Sequence, residues 1–125
     1  MTERHKRAQE QAIDHILRMY PRTVAIILYG NSNELEGDKN GDLNFYIVHT
    51  DPYSQHGRIP LEGVSCNLWV NNLKLTYEYI QLESTNKISS TALIIATGRI
   101  VHGEKNQGTI ELVNKAKKLA CSQLR

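Results

Sequence analysis

The sequence predicts an α+β fold, in which a small mixed β-sheet of about four strands is flanked by helices. Hydrophobic residues recur every three or four positions near both ends of the chain, a spacing typical of amphipathic helices. Between these segments lie short runs that are rich in β-branched residues or alternate between apolar and polar residues, as strands do. Three such runs precede most of the helices, and this order favours a mixed sheet covered by helices.

The first two elements are a helix and a buried strand. The helix is predicted over residues 2–20, and Pro21 ends it. Its apolar stripe consists of Ala8, Ala12, Ile13, Ile16, Leu17 and Tyr20. Residues 23–29, TVAIILY, form an apolar run bounded by a proline and a glycine, which predicts a buried strand.

A polar loop then leads to two further strands. Residues 32–35 of this loop are compatible with a short helix. The second strand is predicted over residues 42–50 and the third over residues 64–70, because apolar and polar residues alternate in both. Residues 51–60 between them contain two prolines and a glycine, so we expect a turn-rich connection there.

The second half of the chain is mostly helical. A helix is predicted from residue 73 to about residue 82, with Asn71 or Asn72 as its N-cap, and another over residues 84–96. Residues 98–102 predict a short edge strand and residues 107–123 a last helix. The residues expected to face inward from the last two helices are Ile88, Ala92, Ile95, Leu112, Val113, Ala116, Leu119 and Ala120.

Composition sets limits on the class of protein. A chain of 125 residues predicts one domain, and its 40% hydrophobic and 22% charged residues are ordinary for a globular protein. The net charge of +2 is too small to indicate a nucleic acid or a membrane as partner. No signal peptide or membrane span is visible, so we expect a cytoplasmic protein. Cys66 and Cys121 form no motif, and Cys66 is expected in the core.

Small polar side chains are expected to meet on one face of the sheet. Asp42 and Asn44 share a face of the second strand, and Ser65 and Asn67 share a face of the third. The turn made by Gly30, Asn31 and Ser32 follows the first strand, and such a turn offers amides and hydroxyls to an anion. Two interpretations stay open at this point: a ligand site, or a sheet face that simply meets solvent.

The pattern of these residues resembles the polymerase-β-like nucleotidyltransferase superfamily. That pattern is a strand, a Gly-Ser turn, an Asp-x-Asp or Asp-x-Glu strand and then another acidic strand. Asp42 lies twelve positions after Gly30, as the first metal-binding Asp does in bacterial minimal nucleotidyltransferases and in the N-terminal domain of kanamycin nucleotidyltransferase. The closing segment GRIVHGEKNQGTIELVNKAKKLA also resembles theirs, so the resemblance covers nearly the whole chain and implies the nucleotidyltransferase fold.

The resemblance assigns roles to individual positions. Asp42 matches the first metal-binding carboxylate and would be catalytic if the protein is active. Asn44 and Ser65 stand where the second and third carboxylates are expected, with Asn67 as the alternative to Ser65. The positions implied to bind a ligand or its phosphate are Gly30, Asn31, Ser32, Asn44, Ser65 and Asn67.

Two divalent ions are held by three carboxylates in this family, and only one of the three is present here. The first hypothesis is therefore a degenerate nucleotidyltransferase, a pseudoenzyme that binds a nucleotide or phosphorylated ligand or serves as an interaction module. The alternative is an active enzyme that uses Mg²⁺ to add a nucleoside monophosphate to a hydroxyl of a small molecule or protein. A pure dimerisation or scaffold domain is the second alternative.

Several further expectations accompany these hypotheses. Glu34, Asp38 or Glu62 would have to replace the missing carboxylates in an active enzyme, although Glu62 should point to the opposite sheet face. His49 and His56 are expected at the surface rather than on a metal. A nucleoside triphosphate is the implied ligand, Mg²⁺ is a cofactor only of an active enzyme, and a homodimer or another protein would supply any acceptor site.

Overall fold

The computed structural model describes residues 2–30, 41–83 and 90–123, without the side chains of residues 82, 83, 90 and 121–123. The helices of these ranges are α1 (Glu3–Met19), α2 (Leu73–Glu83), α3 (Ser90–Thr97) and α4 (Gln107–Gln123). The strands are β1 (Thr23–Tyr29), β2 (Leu43–His49), β3 (Gln55–Leu61), β4 (Val64–Asn72) and β5 (Arg99–His102). No helix in these ranges is both long and apolar enough to cross a lipid bilayer.

The strands form one mixed sheet in the order β3-β4-β2-β1-β5. β2 and β4 are parallel, and the other neighbouring pairs are antiparallel. The α+β class and the helix-flanked mixed sheet are thereby confirmed. β5 lies at an edge of the sheet as predicted.

One strand, β3, was not predicted. Most of its residues fall in the segment 51–60, for which the sequence predicts a turn-rich connection, and that prediction is wrong from Gln55 onward. Pro60 is compatible with β3 because an edge strand has one side free of partners, where a missing N–H breaks no ladder. Glu62 and Gly63 have positive φ angles of 53° and 74°, as a two-residue hairpin turn into β4 requires.

Both faces of the sheet contribute residues to the core. Alternate residues of the central strands pack on α1, whose stripe residues Ala8, Ala12, Ile16 and Tyr20 are buried while Ile13 and Leu17 are partly buried. Thr2, predicted as the first helical residue, is the N-cap, and its hydroxyl accepts from the backbone N–H of His5 at 3.1 Å. The buried residues of the opposite face pack against the other three helices, whereas His56 and Arg58 of β3 are exposed on that face.

The later helices agree with the predictions where they are described. Asn72, not Asn71, caps α2, and its Oδ1 accepts from the Leu75 N–H at 3.2 Å. In α3, Ala92 and Ile95 are buried as expected, whereas Ile88 and the predicted helix start at residue 84 lie outside the described residues. α4 has the predicted bounds, and Leu112, Val113, Ala116 and Ala120 are buried while Leu119 is partly buried.

The turn after β5 lies directly on the backbone of β1. Gly103 has a φ of +85°, and a Cβ atom there would meet the Val24 carbonyl oxygen at 1.9 Å. Glycine is thus required at this position for two separate reasons, a left-handed backbone and a contact that admits no side chain.

We expect Gly103→Ala to lower the free energy of unfolding by about 2 kcal/mol or more, because it adds backbone strain to a backbone clash. Gly57→Ala is the matched control, since a Cβ at Gly57 would have no atom within 4 Å. Urea unfolding followed by circular dichroism measures both. Equal stability of the two variants would contradict this account of the β5–α4 turn.

Candidate functional site

Side chains on the face opposite α1 are arranged in rows that run across four strands. Residues paired in neighbouring strands lie side by side, so each row takes one residue from β1, β2, β4 and β3. One row, here called the polar row, consists of Tyr29, Asn44, Asn67 and Arg58. The next, called the aromatic row, consists of Ile27, Tyr46, Trp69 and His56.

Hydrogen bonds join three members of the polar row. Arg58 Nε donates to Asn67 Oδ1 at 2.8 Å, and Asn67 Nδ2 donates to Asn44 Oδ1 at 2.8 Å. A guanidinium can only donate, so Arg58 fixes the carbonyl end of Asn67 toward itself. The amide NH₂ of Asn67 must then point toward Asn44, and the direction of every bond in the row follows from the arginine.

Asp42 lies beside this row and shares the same amide. Its Oδ2 accepts from Asn67 Nδ2 at 3.3 Å, and its side chain is exposed. Gly30 also borders the row: it has a φ of +79°, and a Cβ there would lie 3.2 Å from Asn44 Nδ2. The glycine thereby lets the backbone of the turn approach the amide of Asn44 closely.

Ser65 is paired with Pro60 of β3, two positions before Asn67 in β4. Its Oγ is buried and has no hydrogen-bond partner within the described ranges. The structure thus brings together Gly30, Asp42, Asn44 and Asn67 of the predicted site residues. Ser65 lies on the same strand but makes no bond to them, and Asn31 and Ser32 lie outside the described residues.

The aromatic row forms one wall of a cleft next to the polar row. The Trp69 ring contacts Tyr46 edge-on at a centroid distance of 4.9 Å and stacks on His56 at 5.3 Å. The cleft has a volume of about 440 Å³, within the range of small-molecule sites. Its lining residues are Tyr29, His56, Gly57, Arg58, Asn67, Leu68 and Trp69.

A buried hydrogen-bond chain holds the Tyr46 ring behind this wall. Asn71 Nδ2 donates to the Tyr46 hydroxyl at 3.3 Å, and that hydroxyl lies 2.9 Å from Thr76 Oγ1. The Thr76 hydroxyl donates to the Asn72 carbonyl at 2.9 Å, so Tyr46 is the donor to Thr76. Because every member is satisfied, the position of the ring that supports Trp69 is well determined.

His5 anchors the backbone where the polar loop ends. It is buried in α1, and its Nε2 donates to the Gly41 carbonyl at 2.9 Å. Its Nδ1 lies 2.6 Å from the Thr2 hydroxyl and accepts from it in the neutral ring. The residue before Asp42 is thereby tied to the first turn of α1. Sequence reasoning missed this role, although His5 continues the spacing of the buried stripe.

The side chains of the polar row do not fit the magnesium ions that the family resemblance implies. A divalent cation needs several oxygen ligands, preferably carboxylates. Here the oxygens of Asn44 and Asp42 instead accept hydrogen bonds from the Asn67 NH₂, which lies where their shared cation would be. Across residues 2–30, 41–83 and 90–123, no group of three His, Cys, Asp or Glu side chains is placed to hold a metal.

Other acidic residues of the described chain have other partners. Glu62 Oε1 accepts from Arg7 at 3.3 Å and from Gln11 at 3.0 Å, both on α1, so its carboxylate is directed to the other side of the sheet from Asp42. Asp51 lies 3.6 Å from Arg22 at the far end of β2. Glu34 and Asp38 lie outside the described residues.

His49 and His56 differ in burial, and the expectation that both lie at the surface is wrong for His49. His49 is fully buried, with its Nε2 donating to the Tyr53 carbonyl at 2.8 Å and its ring packed between Tyr20 and Tyr53. It follows the period of the α1 face of β2, which the predicted alternation already contained. His56 is exposed and belongs to the opposite face.

Arg58, at the end of the polar row, was also missed. It lies on β3, the strand whose prolines and glycine indicated a loop. The signal was present in the alternation of Ile59 and Leu61 with Arg58 and Pro60, followed by the Glu-Gly turn. An argument from period two alone would have placed Arg58 on the face of Asn67.

The fold has a counterpart among solved structures. A crystal structure of a nucleotidyltransferase-like protein from Exiguobacterium sibiricum superimposes with a TM-score of 0.64 over 87% of this chain, at 17% sequence identity. The present chain spans only 38% of that protein's length. No family model matches the sequence, and no relative is found among curated proteins. The likeness shows a nucleotidyltransferase-like fold.

The core beneath the site contains one free thiol in the described part of the chain, that of Cys66, which confirms its predicted place in the core. Burial raises the pKa of the Cys66 thiol to about 11, and the negative charge of Asp42 contributes in the same direction. An unfolded thiol loses its proton near pH 9.

Because the unfolded chain then binds fewer protons than the folded one, the stability supplied by the Cys66 thiol is intact below about pH 9 and is lost toward pH 11. We expect the free energy of unfolding to fall less steeply over this interval in Cys66→Ala than in wild type, as measured by urea unfolding. Cys121→Ala is the control for general alkaline effects. If the free energy of unfolding depended on pH in the same way in wild type and Cys66→Ala, the raised pKa of the Cys66 thiol would be contradicted.

Proposed function

We propose that this protein binds a nucleotide or another phosphorylated ligand at the polar row and does not catalyse nucleotidyl transfer. One observation supports this above all others. The NH₂ group of Asn67 donates to the oxygens of both Asn44 and Asp42, at the positions where the family resemblance implies metal-binding carboxylates. The side chains are thus arranged as a neutral hydrogen-bonded set with one exposed carboxylate beside it.

The chemistry of nucleotidyl transfer explains why this arrangement opposes catalysis. Two divalent ions stabilise the attacking and leaving oxygens, and carboxylates must offset their charge. Each contact of this kind that is lost at a reacting centre costs a factor on the order of a hundred in rate. With Asp42 as the single matching carboxylate, transfer would lack the charge to hold a second ion.

Ligand binding does not require the carboxylates that catalysis needs, and other features of the site support it. Gly30 allows close approach of the backbone to the row, Arg58 adds a cation, and the cleft beside Trp69 is large enough for a small molecule. The solved counterpart is called nucleotidyltransferase-like, and at 17% identity it supports the fold on which such a site is built.

A scaffold role receives less support. The exposed large hydrophobic residues of the described chain are Met19, Tyr53 and Ile110, with exposed fractions of 55%, 44% and 40%. Three exposed apolar side chains are ordinary for a protein surface and do not by themselves define a docking face. A second copy of the chain or another protein remains our proposed source of any acceptor site.

Calorimetric titration with ATP and with GTP, each with and without Mg²⁺, tests the proposed function. We expect binding that does not require Mg²⁺ and that survives in Asp42→Ala. Tight binding that needs both Mg²⁺ and Asp42, together with release of pyrophosphate in the presence of a hydroxyl acceptor, would instead establish an active nucleotidyltransferase.

Restoring the carboxylates gives an independent test. Asn44→Asp combined with Asn67→Asp would place a carboxylate at position 67 close to those at positions 42 and 44, and a divalent cation should bind there because it relieves their repulsion. We expect Mn²⁺ or Mg²⁺ to raise the melting temperature of this double variant by several degrees and to leave wild type unchanged. Asn114→Asp, an exposed change on α4, is the control. An equal rise in wild type would mean that the native site already holds a cation.

A further inference from the structure

Arg58 has N–H donors that can bind a ligand. It is exposed on the edge strand β3, and among the described residues only the Nε–H of its five guanidinium N–H donors is used, on Asn67. Within the described ranges its terminal nitrogens make no hydrogen bond or ion pair, and they form a planar fork that suits two oxygens of a phosphate.

Within the described ranges, no carboxylate is in contact with the guanidinium of Arg58. Arg7 and Arg22 lie against the carboxylates of Glu62 and Asp51, whereas Arg58 lies against a neutral amide. The bond to Asn67 orients the guanidinium without cancelling its charge. The guanidinium of Arg58 can therefore attract an anion in the cleft.

The rest of the same cleft suits a planar ring. Trp69 is half-buried, held edge-on by Tyr46, and stacked against His56. His56 and Arg58 lie on the same face of β3, two residues and about 7 Å apart. A ligand with a ring near Trp69 and a phosphate on Arg58 would need a spacer of about the size of a ribose. Aromatic side chains accept any base on a π-face, so this wall favours a nucleoside without selecting its base.

We propose that Arg58 holds the phosphate of a nucleoside monophosphate in place of a divalent cation, while the base lies against the Trp69–His56 wall of the cleft. This inference rests on the proposed function and names its ligand class. It accounts for the neutral amides of the row, since a permanent guanidinium needs no carboxylate cage. Binding by this site is independent of metal ions.

In this site the Asp42 carboxylate weakens binding of the ligand and does not hold it. Its carboxylate accepts from the same Asn67 amide that Arg58 orients, so Asp42 lies beside the polar row and the Asn67 side chain links it to the cation. A phosphate on Arg58 is repelled by this carboxylate. In a metal-dependent site Asp42→Asn abolishes binding, whereas here it strengthens binding.

The test is calorimetric titration with AMP and GMP in EDTA and again with Mg²⁺, using folded full-length variants verified by circular dichroism. We expect wild type to bind at least one of them equally well in both buffers. Arg58→Gln should weaken this binding at least tenfold, and Asp42→Asn should tighten it severalfold. Arg99→Gln, a change on the opposite edge strand, is the matched control and should leave binding unchanged.

Ribose 5-phosphate, which lacks the base of AMP, distinguishes the phosphate contact from the base contact. Trp69→Leu should weaken binding of AMP at least tenfold but leave ribose 5-phosphate unaffected, whereas Arg58→Gln should weaken both. Metal-free binding that is the same in wild type and Arg58→Gln would overturn the assignment to Arg58 and leave the proposed function standing. Binding that requires Mg²⁺ and is lost in Asp42→Asn would overturn the inference in favour of a metal site. No binding of any phosphorylated probe by wild type would overturn both.

Discussion

The parallel pairing of β2 with β4 determines where the core and the polar row lie. It sets Asn44 directly beside Asn67 and Leu43 beside Cys66, so one face of both strands is apolar and the other carries the polar row. The apolar face buries against α1. The hairpin that brings β3 back along β4 then places Arg58 next to Asn67. A shift of one residue in this register would turn every polar side chain into the core, so the packing on α1 also fixes the site.

The distribution of charge in the site follows from this placement of Asn44, Asn67 and Arg58. Arg58, whose guanidinium can only donate, lies at one end of the polar row. Its hydrogen bond determines which way the amide of Asn67 faces. Two oxygens that a metal would otherwise contact are satisfied by that amide. The positive charge of the site is thus carried by Arg58 at the sheet edge, and Asp42, the carboxylate of the site among the described residues, is exposed beside it. Binding without transfer is the function that such a balance of charge favours.

Much of this could be predicted from the sequence, and the failures have physical causes. Hydrophobic period predicted the helices and four of the strands, because packing on both sheet faces imposes that period strongly. β3 was missed because Pro60 and Gly57 are read as breakers, although an edge strand tolerates both. The partners of Asp42 were predicted as a converging set, but their hydrogen bonds were not, since these depend on Arg58 from the missed strand. The roles of His5 and His49 depend on tertiary contacts that periodicity alone does not reveal.

NMR with a paramagnetic divalent ion shows whether a metal approaches the polar row. Substoichiometric Mn²⁺ can be added to ¹⁵N-labelled protein while the side-chain amide signals of Asn44 and Asn67 are followed by NMR. The account predicts that they broaden no more than the signal of Asn114, which is exposed on α4. Selective broadening of the Asn44 and Asn67 signals would place a metal ion at the row and contradict the account.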